Sequence, residues 1–156
     1  MKTLLAAAAA AALILPLSAE AATTHFPAGA NGPGGVAPPF SSAVMAGDTL
    51  YVAGTTDGTD PATGKLPVDA TTGAKVVLDN IKRTVEKAGL TMDDLVWVQI
   101  FTSDLKYYND FNAVYRTYFK GDMPTRAFIG AGSLLGGAHF EVMGIAVKPT
   151  AAKTKK

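Results

Sequence analysis

The chain divides into blocks by how its apolar residues recur. Residues 4–17 form an almost unbroken apolar run, rich in Ala and Leu. Residues 22–39, crowded with Gly and Pro from Pro27 to Pro39, read as an extended arm without an element. Residues 42–46 and 49–54 are short strand-like runs. Gly47-Asp48 between them is a two-residue hairpin signal. A long polar loop then reaches Gly73. Beyond it Ala74, Leu78, Ile81, Val85 and Ala88 recur at spacings of four and three, one apolar face at helical period, and Gly89 supplies the stop. Residues 95–102 read as a long strand. Residues 108–119 read as a second helix, with Phe111, Val114, Tyr115 and Tyr118 on one side. Strands at 126–131 and 140–147, joined by a Gly-rich connection, complete the order β-β-α-β-α-β-β. The expected fold is α+β, one sheet with two helices on a single face.

Two strands are apolar on both sides. Along the 95–102 strand, Leu95, Trp97 and Phe101 share a side with Gln99, and Val96, Val98 and Ile100 share the other. In the last strand Met143, Ile145 and Val147 oppose Val142 and Ala146. Strands of this kind are buried on both faces. Two helices cover one face, so the other is expected to meet a further subunit or, alternatively, the 22–39 arm.

The N-terminal run changes the domain reading. Lys2 precedes it, Pro16 ends it, and Ala19-Glu20-Ala21 has the small-residue pattern of a cleavage site. At about 14 residues it is shorter than the ~20 that span a bilayer. The expected organisation is a signal peptide at 1–21, a flexible Gly/Pro-rich arm at 22–36, one domain at 37–149 and a basic tail at 150–156. The exported protein would be periplasmic or secreted, with no membrane attachment after processing.

Composition excludes several chemistries. The chain has no cysteine, so disulfides, thiol nucleophiles and thiolate metal sites are impossible. Its two histidines, His25 and His139, lie far apart with no carboxylate pair beside them. No metal and no cofactor is expected. Fourteen basic and thirteen acidic residues leave a net charge of +1, which gives no electrostatic footprint for nucleic acid. No nucleophile elbow, phosphate loop or zinc-binding helix motif occurs.

Two charges stand in apolar company. Arg126 opens a strand continued by Ala127, Phe128 and Ile129, and Glu141 shares a stripe with Met143, Ile145 and Val147. Charges in such settings need partners. If the last two strands form a simple hairpin centred between Ser133 and Leu134, Arg126 and Glu141 face each other. They would then form either a structural salt bridge or a polar pocket, with an Arg for a carboxylate and an acid for proton transfer.

The run Pro124-Thr125-Arg126-Ala127-Phe128-Ile129-Gly130, followed by Phe140-Glu141-Val142, resembles the signature of the reactive intermediate deaminase (Rid, YjgF-type) family. Residues 37–43, the Gly54-terminated strand, Leu78-x-Asn80-Ile81, Asp104-Leu105, Asn112 and Tyr115 are similar to further blocks of that family. The resemblance covers residues 37–148. It implies a chorismate-mutase-like fold, a homotrimer with clefts between subunits, and cofactor-independent hydrolysis of 2-imino or enamino acids to 2-oxo acids and ammonia. On the matching positions, Arg126 would hold the substrate carboxylate and Glu141 would activate water. Gly54 would admit the ligand close to the backbone, Asn112 would support the cleft, and Phe40 and Phe128 would line it. The chain departs from the family pattern at Phe40 (commonly Tyr), Thr55 (Gln), Phe128 (a small residue) and Met143 (a second Glu). Two alternatives stand beside it: a non-catalytic trimeric binder of small carboxylates that uses the same cleft, and a protein-interaction or holdase role that rests on apolar surface rather than on the cleft.

Protein recovered from the cell envelope is expected to have the intact mass of a chain that begins at Ala22. A species there that retains Met1 to Ala21 removes the processing expectation.

Overall fold

The computed structural model of the chain describes residues 22–29, 36–60 and 62–149. The expected signal peptide, residues 30–35 of the arm and the basic tail lie outside these residues. Eight elements follow in order: β1 (Thr23–Pro27), β2 (Ser41–Ala46), β3 (Thr49–Thr56), α1 (Ala70–Lys87), β4 (Leu95–Thr102), α2 (Tyr108–Tyr115), β5 (Thr125–Gly130) and β6 (Phe140–Val147). Six strands form one mixed sheet in the order β1-β2-β3-β6-β4-β5.

Local patterning accounts for most elements. The Gly47-Asp48 turn joins β2 and β3 as a hairpin, paired from Ala46–Thr49 to Ala43–Val52. Helix α1 begins four residues before the first periodic position. The Asp69 side chain accepts the Thr72 N–H at 2.7 Å and caps it there. That backbone donor also lowers the Asp69 carboxyl below the usual range. Ala74, Val77, Leu78, Ile81 and Val85 bury the predicted face of α1 against Leu50, Val98, Ile100, Val142 and Ala146 of the sheet. Phe111, Val114 and Tyr115 of α2 complete this core. Each large aliphatic side chain so buried contributes about 1.5–3 kcal/mol.

Three expectations are corrected. First, the arm contains an element: Thr23–Pro27 forms an edge strand antiparallel to β2, from Thr23–Ala46 to Pro27–Ser41. Second, β5 and β6 are not a hairpin. Strand β5 runs parallel to β4 because α2 separates them in the chain, as in any strand–helix–strand crossover. Strand β6 inserts antiparallel between β3 and β4. The Gly-rich connection passes the end of β4, where Ala131 N–H donates to Thr102 O and Ser103 N–H to His139 O. Arg126 is therefore opposite Val98, and Glu141 is opposite Phe101 and Thr56. The two do not pair. Third, a register shift between Leu95 and Trp97 exchanges the faces of the first residues of β4. Leu95 is buried on the helix side and Val96 is exposed.

Past that bulge the alternation holds. Val98, Ile100 and Thr102 point to the helices, with Phe140, Val142, Gly144 and Ala146 of β6. Trp97, Gln99, Phe101, Met143 and Ile145 occupy the opposite face, where they are only half-buried. No described element covers that face.

A charged group lies inside the molecule where β3 ends. The Asp57 side chain is fully buried. Its Oδ1 accepts the Phe140 N–H and its Oδ2 meets His139 Nδ1, both at 2.8 Å. A Cβ placed on Gly73 of α1 would collide with Asp57 Oδ2. The carboxylate has no freedom to retreat from it. Gly73→Ala is therefore expected to destabilise the fold by about 1–3 kcal/mol. At an unobstructed helix position the same change stabilises by about 1 kcal/mol. Urea unfolding should show a lower midpoint at unchanged slope. A raised midpoint would mean that the carboxylate gives way.

Candidate functional site

Strand β5 is an edge strand, and its register with β4 turns Arg126 and Phe128 toward α2. Arg126 Nη1 donates to Asn112 Oδ1 at 2.7 Å. The guanidinium carbon lies 4.9 Å from the centre of the Tyr115 ring, 5.7 Å from Tyr108 and 5.8 Å from Phe128. Such faces attract a cation without neutralising it. Among the described residues no carboxylate lies within ion-pair distance of Arg126. Of its five N–H donors, Asn112 takes one. Tyr115 is buried beneath it, and its hydroxyl has no partner among the described residues. Burial pushes that phenol up to about 12, against an opposing pull from Arg126, so it stays protonated at neutral pH.

Glu141 belongs to the other face of the sheet. It lies at the start of β6, opposite Thr56 and Phe101. Its carboxylate rests where a side chain at position 54 would be, in contact range of a Cβ built on Gly54, and the Met143 methyl closes the same space. Any residue but glycine there would displace the carboxylate. Ala53 and Gly54 lie in the register shift of β3, and neither has a paired residue in β2 or β6. Backbone groups freed from a ladder can serve a ligand.

A cleft of about 1060 Å³ opens beyond the last β2–β3 pair. Phe40, Gly54, Thr55, Thr56 and Glu141 line it from the sheet, and Asn80 and Arg83 from α1. Phe40 is exposed at its rim.

The six residues singled out in the sequence thus fall into two groups. Arg126, Asn112 and Phe128 gather at the β5 edge. Glu141, Gly54 and Phe40 gather at the β3–β6 cleft. Within one subunit the groups are on opposite faces of the sheet. Phe128 does not enter the Glu141 cleft; it packs edge-on against Tyr108 and Phe111. Sequence reasoning missed Arg83, which sits among the polar residues of an amphipathic helix and reads there as solvated. It also missed Tyr108, and the Asp57–His139 pair, whose members lie 82 positions apart.

Known proteins share this fold and much of its sequence. The model of a family described as endoribonuclease L-PSP matches residues 34–148. A RutC family protein of Sulfurisphaera tokodaii is 37% identical over 111 residues, 70% of this chain and 88% of that protein. A 2-iminobutanoate/2-iminopropanoate deaminase of Mus musculus is 32% identical over 111 residues, 70% of this chain and 82% of its own. Among solved structures, the YjgF gene product of E. coli superposes with a TM-score of 0.71 at 29% identity, over 81% of this chain and 100% of that one. E. coli TdcF with bound serine gives 0.71 at 27% identity, with the same coverage. The matched span takes in β2 through β6 with both helices, and the chain belongs to the endoribonuclease L-PSP family, which includes the YjgF-type imine deaminases.

Proposed function

We propose that this protein hydrolyses 2-imino or enamino acids to 2-oxo acids and ammonia, without a cofactor, in clefts formed between subunits of a homotrimer. One observation carries the reading. Arg126 and Glu141, a carboxylate-holding group and a proton-transfer group, lie on opposite faces of one sheet, and neither has a salt-bridge partner among the described residues. A cyclic, head-to-tail assembly brings one face of a subunit to a different face of the next. That arrangement lets the Arg126 edge of one subunit complete the Glu141 cleft of its neighbour. The half-buried apolar face of Trp97, Phe101, Met143 and Ile145 supplies the surface for such assembly. Relatives named for 2-iminobutanoate and 2-iminopropanoate deamination support the reaction class.

The chemistry then needs few groups. Arg126, oriented by Asn112, takes the substrate carboxylate through two parallel N–H···O bonds. The C=N carbon lies next to that carboxylate and so is held above Gly54. Glu141 accepts a proton from water as the water oxygen bonds to this carbon. It passes that proton to the imine nitrogen, which gives a carbinolamine, and then carries the hydroxyl proton to the amino nitrogen as the C–N bond breaks, the C=O bond forms and ammonia leaves. The product keeps the water oxygen as its 2-oxo group. After processing the protein would act in the periplasm or outside the cell, which the N-terminal apolar run supports.

A binder without chemistry uses the same cleft, and the TdcF structure with bound serine favours giving it a test. Ammonia release from freshly generated 2-iminobutanoate separates the two. RNA cleavage has less support, since the net charge is +1.

Glu141→Gln should suppress the deaminase rate by about 10²–10⁴-fold and leave 2-oxo acid binding nearly intact, because Gln keeps the shape but exchanges no proton. An unchanged rate, measured as ammonia released, makes Glu141 structural. Assembly has its own test. Arg126→Ala and Glu141→Gln proteins, each inactive alone, should regain about a quarter of the wild-type rate when unfolded, mixed equally and refolded together, since that share of head-to-tail interfaces receives both intact groups. A site contained within one subunit gives no recovery.

A further inference from the structure

Arg83 is a second anchored cation in the wall of the Glu141 cleft. Asn80, one turn earlier on α1, donates from Nδ2 to Thr55 Oγ1 at 3.3 Å and to Thr56 O at 3.2 Å. Its Oδ1 accepts from Arg83 Nη2. The amide is thus oriented by β3 and in turn holds the guanidinium against the cleft. Four N–H donors of the guanidinium remain. Glu86 and Lys87 line the same cleft, and the Glu86 carboxylate lies within ion-pair distance of Lys82, at 3.8 Å, and not of Arg83. No carboxylate is within ion-pair distance of Arg83 among the described residues.

Glu141 also lines the cleft, with its carboxylate against Gly54. A ligand that reaches both groups needs a neutral reacting centre beside Glu141 and an anion beside Arg83. We propose that Arg83 is a specificity-determining residue that binds a second, distal carboxylate, so that the preferred substrates are dicarboxylic 2-imino acids and the products dicarboxylic 2-oxo acids. This rests on the deaminase reading, in which Arg126 of the adjoining subunit takes the carboxylate next to the reacting carbon. A guanidinium presents a planar fork that matches a carboxylate, which an ammonium at the same place does not. Arg83 is solvent-exposed, so its contribution is screened by salt.

The test is calorimetric titration of the full processed protein with 2-oxobutanoate and with a series of diacids, oxaloacetate, 2-oxoglutarate and 2-oxoadipate. The proteins compared are wild type, Arg83→Ala, Arg83→Lys and Arg126→Ala. Alanine is the best helix former, so the exposed Arg83 site tolerates it. Wild type is expected to bind at least one diacid about tenfold more tightly than 2-oxobutanoate, the scale of one charge-assisted contact. Arg83→Ala should abolish that preference and leave 2-oxobutanoate within about twofold; Arg83→Lys should keep part of it. Raising the salt concentration should shrink the preference in wild type and what remains of it in Arg83→Lys, and change nothing in Arg83→Ala. Equal wild-type affinity for mono- and diacids overturns the inference and leaves the deaminase reading standing. An equal loss for both ligand classes in Arg83→Ala does the same, because it makes Arg83 a general contact. If Arg126→Ala binds every acid as wild type does, the deaminase site itself is wrong, and the inference falls with it.

Discussion

The Asp57 carboxylate, sealed from solvent at the junction of β3 and β6, fixes the geometry on which the rest depends. Removing a carboxylate from water costs several kcal/mol, which only close, well-aligned partners offset. Here the Phe140 N–H and the His139 ring provide them, and the Asp57 N–H returns a bond of 3.3 Å to Phe140 O. Tyr107 meets His139 edge-on at 5.4 Å and limits its rotation. The residue after Phe140 is Glu141, and the residue before Asp57 is its cross-strand partner Thr56. The clamp therefore sets where the Glu141 carboxylate rests over Gly54. It also forces glycine onto α1 at position 73, so one buried charge constrains a strand end, a strand start and a helix surface at once.

Much of this was legible from local pattern. The α1 stripe, the β2–β3 turn and the 95–102 strand appear in the structure close to where periodicity and turn chemistry place them, because each is decided by residues within a few positions. Strand pairing is not decided locally. The sequence of β5 and β6 is equally compatible with a hairpin and with two strands separated by a third. Only the α2 crossover, which obliges β5 to join β4 in parallel, breaks the tie. Strand β1 was hidden for another reason. Its five residues carry little apolar signal and lie next to a Gly/Pro-rich stretch, so their ordering comes from the free edge of β2 rather than from themselves. The bulge after Leu95 shows the same limit on a smaller scale, since one irregular pair exchanges two faces that strict alternation had assigned.

The candidate site was half legible. Arg126 and Glu141 stood out because charges in apolar stripes demand an explanation, and the family signature marked the same positions. Their relation to each other did not follow, for it depends on the inserted β6. Placed on opposite faces, they turn a question about a salt bridge into one about quaternary structure. Arg83 shows the converse. A charge on the polar face of a helix attracts no notice until the fold shows which cleft that face borders.

Strand order also bears on how the chain is made. Among the described elements, strand β6 is the last in sequence and the only one that pairs with both β3 and β4. Until it leaves the ribosome, the nascent chain consists of a β1-β2-β3 ribbon and a β4-β5 pair with no backbone ladder between them. Each half then presents an open, apolar edge, the kind of surface that chaperones cover and that aggregates when they do not. The sheet closes in a single late step, so a truncation between β5 and β6 would yield two fragments of sheet with no strand pairing between them rather than a smaller version of the fold.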